Sequence, residues 1–353
     1  MGFTPNEVAR SLFRKSALSM LASMNVTLIT IDNAELKGYS DIGHRPEARL
    51  MAPKEVSKGM KVLNIGSMNL DYVYNVDHII KPGETQATTG MNIFLGGKGM
   101  NQSIALAKAG AEVYHGGMIG KDGQPFIEAC KEYGVNYDYI KKVEGKTGHT
   151  IIQIDKNAQN CILLFAGAND KLTEAYVDEV LENFETGDIL LLQNEVNMIP
   201  YIVDKAYEKG MQIALNPSPF NEKLDAVDMS KISYFLMNEV EGEQITGYTD
   251  PGQIIDKVVE LYPEAKIVLT LGGDGAIYAD KDERYHQPIF KVKAVDTTAA
   301  GDTFTGYFLA GIIDGMKIPD ILRMSAKASS IAVTREGAVP SIPYRKEVEE
   351  ALA

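Results

Sequence analysis

Cysteine is nearly missing from this chain: Cys130 and Cys161 are the two in 353 residues. Two thiols make no disulfide framework and match no zinc-ligand spacing, so both read as small buried side chains in a reducing compartment, and the expected location is the cytoplasm. Cationic residues are in deficit, 35 Lys and Arg against 48 Asp and Glu, a net charge of −13. A surface that acidic repels phosphate backbones and no basic run offsets it locally, which argues against nucleic acid as a partner. An anionic substrate then needs a site whose backbone N–H groups and few cations overrule the global field. Nor is there an uncharged apolar run of the ~18 residues that a membrane helix requires. Residues 17–31 carry no charge and follow Arg10, Arg14 and Lys15. Ser19, Ser23, Asn25, Thr27 and Thr30 dilute that stretch and no small-residue cleavage site follows, so it is not read as an export signal.

What remains is ordinary globular composition, 45% hydrophobic and 24% charged, in a chain long enough for one large α/β domain or two average ones. Residues 1–59 differ from the rest: 8 basic and 6 acidic residues give them +2, leaving −15 for everything from Met60 onward. They offer one helical pattern, about Asn6–Met24, and no further periodicity. From Met60 the pattern is regular. Short apolar runs at Lys61–Ser67, Asp188–Asn194, Gln212–Asn216, Tyr234–Asn238 and Lys266–Leu271 read as buried strands. Helical patterns lie between them at Pro200–Lys209, Glu239–Gly247 and Pro251–Tyr262. Such alternation implies βαβ units and a mainly parallel sheet covered on both faces. Two segments break the rhythm, Tyr72–Phe94 and Thr150–Phe165, and read as antiparallel strand pairs of a small extra sheet, a lid or an oligomer surface.

Four glycine-marked sites carry chemistry. In Asp296–Phe304, DTTAAGDTF, the small residues Ala299, Ala300 and Gly301 stand where a helix begins, with unpaired N–H groups and the positive dipole end turned outward. A transferring phosphoryl group needs such a nest of preorganised donors. Asp302 at the same spot can take a proton from an attacking hydroxyl; alone it would read equally as a helix cap. In Leu95–Asn101, LGGKGMN, Gly96, Gly97 and Gly99 permit tight backbone geometry while Lys98 and Asn101 offer donors; the spacing is not that of a Walker P-loop. In Ser67–Asp71, SMNLD, Asn69 and Asp71 can face one crevice beyond a strand end, where open α/β sheets bind ligands. An amide beside a carboxylate suits vicinal sugar hydroxyls, and an Asx-turn is the plainer alternative. The fourth is TLGGDG, Thr270–Gly275, a turn able to lie flat against a nucleotide, together with NEVE, Asn238–Glu241, whose spacing puts both polar side chains on one helical face near phosphates, water or Mg²⁺.

Together, in this order, these residues resemble the ribokinase family of sugar kinases, and the resemblance runs from about Met60 to Glu350. It implies an α/β, ribokinase-like fold, a central mainly parallel sheet between helices with a small β-sheet lid. It also implies ATP-dependent phosphorylation of D-ribose at its 5-hydroxyl; other small sugars or nucleosides (fructose, deoxyribose, adenosine) are the alternatives, and a catalytically silent sugar-binding regulator is the alternative of another class. Under that resemblance Asp302 is the base and Ala299, Ala300 and Gly301 form the anion hole. Asn69, Asp71, Gly97, Lys98, Gly99, Asn101 and Glu195 hold the sugar. Asn238, Thr270, Leu271, Gly272, Gly273, Asp274, Gly275 and Gly301 line the ATP site, with Glu241 near Mg²⁺. Asp296, Thr298, Ala332, Arg335, Gly337 and Ser341 match the family's monovalent-cation (K⁺) loop, which acts mostly through backbone carbonyls. A homodimer through the lid strands is implied too. QNE at Gln193–Glu195 departs from the familiar pattern beside the expected Glu. Residues 1–59 match nothing in the family, and the expectation is an N-terminal extension, or an upstream start, ahead of a kinase domain over 60–353.

Overall fold

A computed structural model describes residues 59–157 and 159–353. The helical pattern at Asn6–Met24 therefore lies outside the described residues.

The strands of the main sheet, in chain order, are β1 (Val62–Ile65), β4 (Val113–Ile119), β5 (Asn136–Lys142), β8 (Ile189–Gln193), β9 (Gln212–Asn216), β10 (Tyr234–Asn238), β11 (Lys266–Thr270), β12 (Ala276–Ala279) and β13 (Arg284–Gln287). Their order across the sheet is β13-β12-β11-β10-β9-β8-β1-β4-β5. All neighbours run parallel except β11 with β12 and β12 with β13. The period of two shows in β8: Leu190 and Leu192 enter one core, Ile189 and Leu191 the other. On one face pack α3 (Glu174–Leu181), α4 (Ile199–Glu208) and α6 (Pro251–Leu261). On the other lie α1 (Lys98–Lys108), α2 (Gln124–Tyr133), α7 (Ala300–Ile313) and α8 (Ile318–Ala332). Among the described residues the two remaining α-helices are α5 (Glu239–Thr246) and α9 (Arg345–Leu352). Both faces of a parallel sheet are thus covered, as its continuous apolar runs require.

The smaller sheet has the order β3-β2-β6-β7, from β2 (Asn69–Asn75), β3 (Gly90–Gly96), β6 (Gly148–Ile154) and β7 (Asn160–Phe165). Its two antiparallel pairs are those read from the sequence, and β2 joins β6 in parallel at the centre. Asn69 and Asp71 belong to β2, so an Asx-turn does not describe them. β4 and β5 were not visible as strands. His115 and the Gly116–Gly117 pair interrupt the apolar run in β4, and the lysines and aspartate of NYDYIKK hide β5.

One helix crossing places the site. Gly306 of α7 lies against α1, where a Cβ on it would fall 2.8 Å from the Ala105 carbonyl carbon and from the Leu106 nitrogen. Without a side chain there the two helices approach closely, which brings the first turn of α1 beside the first turn of α7.

Candidate active site

α7 begins at Ala299, which holds a left-handed conformation (φ 59°, ψ 11°) and offers no side-chain cap. A non-glycine residue there carries strain of order 1 kcal/mol, the kind of outlier that clusters where backbone must face a ligand. The Ala300 N–H turns back to the Thr297 carbonyl at 3.3 Å, and Thr303 N–H bonds the Ala299 carbonyl at 2.8 Å. The following N–H groups of Gly301 and Asp302 stand at the helix mouth, where helix geometry supplies no acceptor. A Cβ on Gly301 would meet nothing within 4 Å; the space above it is open. Asp302 sits one turn in, 7% exposed, and does not cap the helix. Its Oδ2 accepts from Asn101 Nδ2 at 2.9 Å and its Oδ1 from Gln102 Nε2 at 2.8 Å.

The GGKG turn positions the other side. Gly97 caps α1 at φ 91°, and a Cβ on it would stand 2.9 Å from Asn69 N and Ser67 O. A Cβ on Gly99 would run into the Gly66–Ser67 backbone. The turn can therefore fold onto SMNLD with glycine alone. Glu195 is clamped there: its Oε2 accepts from Lys98 N at 3.0 Å and from the Ser67 hydroxyl. Burial raises its carboxyl above the usual range, while Lys98 and these hydrogen bonds pull it back. Burial works against the Lys98 charge as well, but Asp302, Glu195 and Glu241 outweigh it and hold the ammonium above its ordinary value. Asn69 is buried, its Oδ1 accepting from Asn169 Nδ2 at 2.8 Å. Asp71 accepts from the Thr150 hydroxyl at 2.6 Å; burial, with the nearby Glu195 charge, pushes its carboxyl up to about 6 against that hydrogen bond.

A crevice of about 220 Å³ opens from Lys98 and Asp302 over Ala299–Gly301 to Asn238, Glu241 and Thr270. NEVE forms a capping box: Asn238 Oδ1 accepts from Val240 N (2.8 Å) and Glu241 N (3.0 Å), and Glu241 Oε2 accepts from Asn238 N (2.8 Å). The Asn238 carbonyl is thereby spent on the helix while its amide NH₂ is left on the crevice wall, and Glu241, buried on the same wall, has its second oxygen left. Thr270 lies on the same wall. Leu271 and the turn Gly272–Asp274 follow it, with open space where side chains at Gly272 and Gly273 would stand. Gly275 (φ 103°) packs against the Gln287 carbonyl, where a Cβ could not fit.

Behind the anion nest two loops are tied together. Asp296 Oδ1 accepts from the Thr298 N–H (2.9 Å) and hydroxyl (2.6 Å), and Oδ2 from the Gly337 N–H (2.9 Å). Val295 and Asp296 N–H both reach the Val333 carbonyl. These hydrogen bonds hold the Asp296 carboxyl below its ordinary value although burial opposes them. Ala332 and Ser341 are fully buried beside this loop, the Arg335 N–H bonds the Ala332 carbonyl at 3.0 Å, and the Arg335 guanidinium pairs with Glu347.

Residues 60–345 match the family model described as pfkB family carbohydrate kinase. The chain belongs to that family. It is 34% identical over 297 residues to a ribokinase of Haemophilus influenzae, a match covering 82% of this chain and 97% of the relative. Among solved structures, ribokinase from Thermotoga maritima superposes with a TM-score of 0.74 at 35% identity, covering 83% of this chain and 99% of the other. Arabidopsis thaliana ribokinase, solved with ribose and ATP, has the same TM-score at 28% identity, with 83% and 99% covered.

In this carbohydrate kinase the crevice takes its lining from DTTAAGDTF, from Lys98 of the glycine turn, and from NEVE and Thr270, whereas SMNLD packs against the glycine turn and does not line it. The sequence did not reveal Asn169, which fixes Asn69 and bonds the Met68 N–H at 3.0 Å. Gln102 was also missed; it lies one residue beyond GGKGMN, and its contact with Asp302 depends on a helix crossing that no local pattern encodes.

Proposed function

We propose that this chain phosphorylates D-ribose with ATP, giving D-ribose 5-phosphate and ADP. The observation that carries this reading is the Asp302 carboxylate, held by Asn101 and Gln102 at the mouth of α7 beside an N–H nest that no side chain obstructs. In this reading Asn69, Asp71, Lys98, Asn101 and Glu195, with the Gly97 and Gly99 backbone, hold the sugar with its primary hydroxyl toward Asp302. Asp302 takes the hydroxyl proton as the oxygen attacks the γ-phosphorus, and the bond to the bridging oxygen breaks to release ADP. The N–H groups of Gly301 and Asp302 and the Lys98 ammonium receive the charge on the equatorial oxygens, while the Ala300 N–H, expected in the nest, is bonded to the Thr297 carbonyl. The names of the relatives, and the ribose and ATP in the Arabidopsis enzyme, support the choice of substrates.

Among the described residues no group of three or more His, Cys, Asp or Glu side chains could hold a metal. A magnesium ion bound mainly through nucleotide phosphates fits that composition, with the second oxygen of Glu241 as its protein contact, directly or through water. It would supply neutralisation of phosphate charge. Where Asp296 ties the two loops, its carboxylate already accepts three chain donors, so backbone carbonyls of the Asp296–Thr298 and Ala332–Ser341 segments are left for K⁺. The kinase domain in this reading is residues 60–353, acting in the cytoplasm as a homodimer through the lid strands.

The deciding measurement is a screen of the full-length protein with ATP and Mg²⁺ against ribose, deoxyribose, fructose and adenosine, with phosphorus NMR locating the phosphate. Ribose should give the highest kcat/KM and a 5-phosphate. A preference for fructose or adenosine would overturn the assignment.

A further inference from the structure

A file of buried polar side chains runs from Asp302 away from the cleft and into the core. Gln102 Nε2 donates to Asp302 Oδ1 at 2.8 Å, and Gln193 Nε2 donates to Gln102 Oε1 at 2.7 Å and to Asn64 Oδ1 at 3.1 Å. Asn64 Nδ2 donates to the Ser103 Oγ and to the Gly99 carbonyl, both at 2.8 Å, and Ser103 Oγ lies 2.8 Å from His115 Nδ1. Asn64, Gln102, Ser103, His115 and Gln193 are each 0% exposed.

The file has one polarity, and the carboxylate sets it. An ionised Asp302 only accepts, so Gln102 must turn its NH₂ toward it and its carbonyl toward Gln193. Gln193 must then donate, and its second N–H goes to Asn64, which turns its own NH₂ toward Ser103 and Gly99. The Ser103 hydroxyl is left to donate to His115 Nδ1, which must be unprotonated there. Burial agrees, lowering the imidazole to about 4 and keeping it neutral. This polarity leaves Gln193 Oε1 buried without a partner. Turning the amide over would satisfy that oxygen no better and would set it against two others, so the orphan marks a side chain held for its donors.

We propose that Gln102 and Gln193 are positioning residues for phosphoryl transfer: Gln193, anchored through Asn64, Ser103 and His115, locks the Gln102 amide so that its NH₂ orients the Asp302 carboxylate toward the attacking hydroxyl. The inference rests on Asp302 being the base. Neither glutamine touches substrate in this arrangement. Their effect falls on the orientation of the carboxylate in the transition state, where small misplacements are expensive.

In the full-length enzyme, Gln193→Met keeps the side-chain volume and removes the donors. The expected result is a kcat about 10- to 100-fold lower with KM for ribose and for ATP within about twofold of the parent, the signature of an interaction made in the transition state alone. Gln102→Met should lose a similar factor, and the double variant no more than the worse single, because Gln193 acts through Gln102. Unchanged kcat in Gln193→Met, losses that multiply in the double variant, or KM rising in step with the fall in kcat would each overturn the proposal. If Gln193→Met fails to fold, the isosteric Gln193→Glu decides. Its carboxyl donates to Gln102 while protonated and cannot once ionised, so the kcat of this variant should fall as pH rises. The ionisable groups around it are Asp302 beyond Gln102, His115 beyond Asn64 and Ser103, and the Lys98–Glu195 pair; all are present in the parent, whose profile is the control. A profile parallel to the parent's would sink the idea. Asp302→Asn is assayed alongside. Activity surviving in it would remove the base assignment itself, whereas an inactive Asp302→Asn beside a fully active Gln193→Met would remove the positioning role alone.

Discussion

Asn101 and Asp302 are 201 residues apart in the chain, yet the Asn101 amide donates to the Asp302 carboxylate at 2.9 Å. That bond joins the glycine turn to the mouth of α7, the sugar side and the phosphate side of the proposed reaction. In the proposed reading both substrates are referred to one carboxylate, which is what in-line transfer between them requires.

Asp302→Asn keeps the volume and an acceptor for one of its two donors but cannot take a proton. Ribose and ATP binding, measured by calorimetry, should stay within a few-fold of the parent. Turnover should drop by about 10²–10⁴, the usual worth of a general base. Retention of more than a tenth of the parent's turnover would show that another group takes the proton.

Gly301→Ala separates stability from function. The residue is helical, a methyl group there touches no protein atom within 4 Å, and alanine is the better helix former by up to about 1 kcal/mol. The melting temperature should hold or rise. The same methyl group occupies the space proposed for the transferring phosphoryl group, so kcat/KM for ATP should fall at least tenfold. Full activity in a normally folded variant would move the phosphate site elsewhere.

Asp71 should tax the fold at working pH. Its carboxyl titrates near 6, raised from 3.8 chiefly by burial. The folded state then binds more protons than the unfolded one between about pH 4 and 6. Stability from this group is full below that window and lost as pH rises through it. Asp71→Asn should therefore melt higher than the parent at pH 7.5, by the equivalent of about 1–2 kcal/mol, with the gap closing toward pH 4.5. KM for ribose should rise at least tenfold, since the carboxylate is lost to the sugar. A lower melting point at pH 7.5 would mean that the Thr150 hydrogen bond outweighs the desolvation.

The motifs were legible because their residues act where they stand: DTTAAGDTF is a helix start in the chain as well as in space, and the short apolar strands carry their burial in composition. NEVE shows the limit of that reading. Its spacing predicts a ligand face, and the structure uses the same spacing to close a capping box while both side chains line the crevice, so the spacing alone does not tell a cap from a site. Asn169, Gln193 and the Gly306–Ala105 crossing were beyond reach because each acts on a residue far away in sequence. A buried glutamine looks in sequence like any surface glutamine.

K⁺ should raise turnover above the level in sodium or choline buffer. Asp296 binds the Thr298 and Gly337 backbone at once, so order in that loop is transmitted to Ala299 three residues on. Asp296→Ala should lose most of the K⁺ response while the fold, judged by circular dichroism, is retained. Equal rates for the parent in all three salts would end this reading of the loop.

The lid makes the last prediction. All six residues of β7, NCILLF, are exposed, Cys161 among them against the expectation that both cysteines are buried, with Leu163 at 67% and Ile162 at 56%, and Met91 and Ile93 of β3 are about half exposed. β7 is also an edge of its sheet. Edge strands are normally protected by lysine, proline or a bulge, and this one carries no charge at all. Contiguous exposed apolar side chains on an unpaired edge call for a partner surface, and a second copy of the same lid offers a symmetric one. The protein should run as a dimer in light scattering at micromolar concentration, and Leu163→Lys, which puts a charge at the middle of the strand, should shift it to the monomer. Because β2 of the same sheet carries Asn69 and Asp71, the monomer should also bind ribose more weakly, with KM raised several-fold and the ATP site little changed. A parent protein that is monomeric at that concentration, or a monomeric Leu163→Lys variant with unaltered ribose KM, would separate the lid from the sugar site.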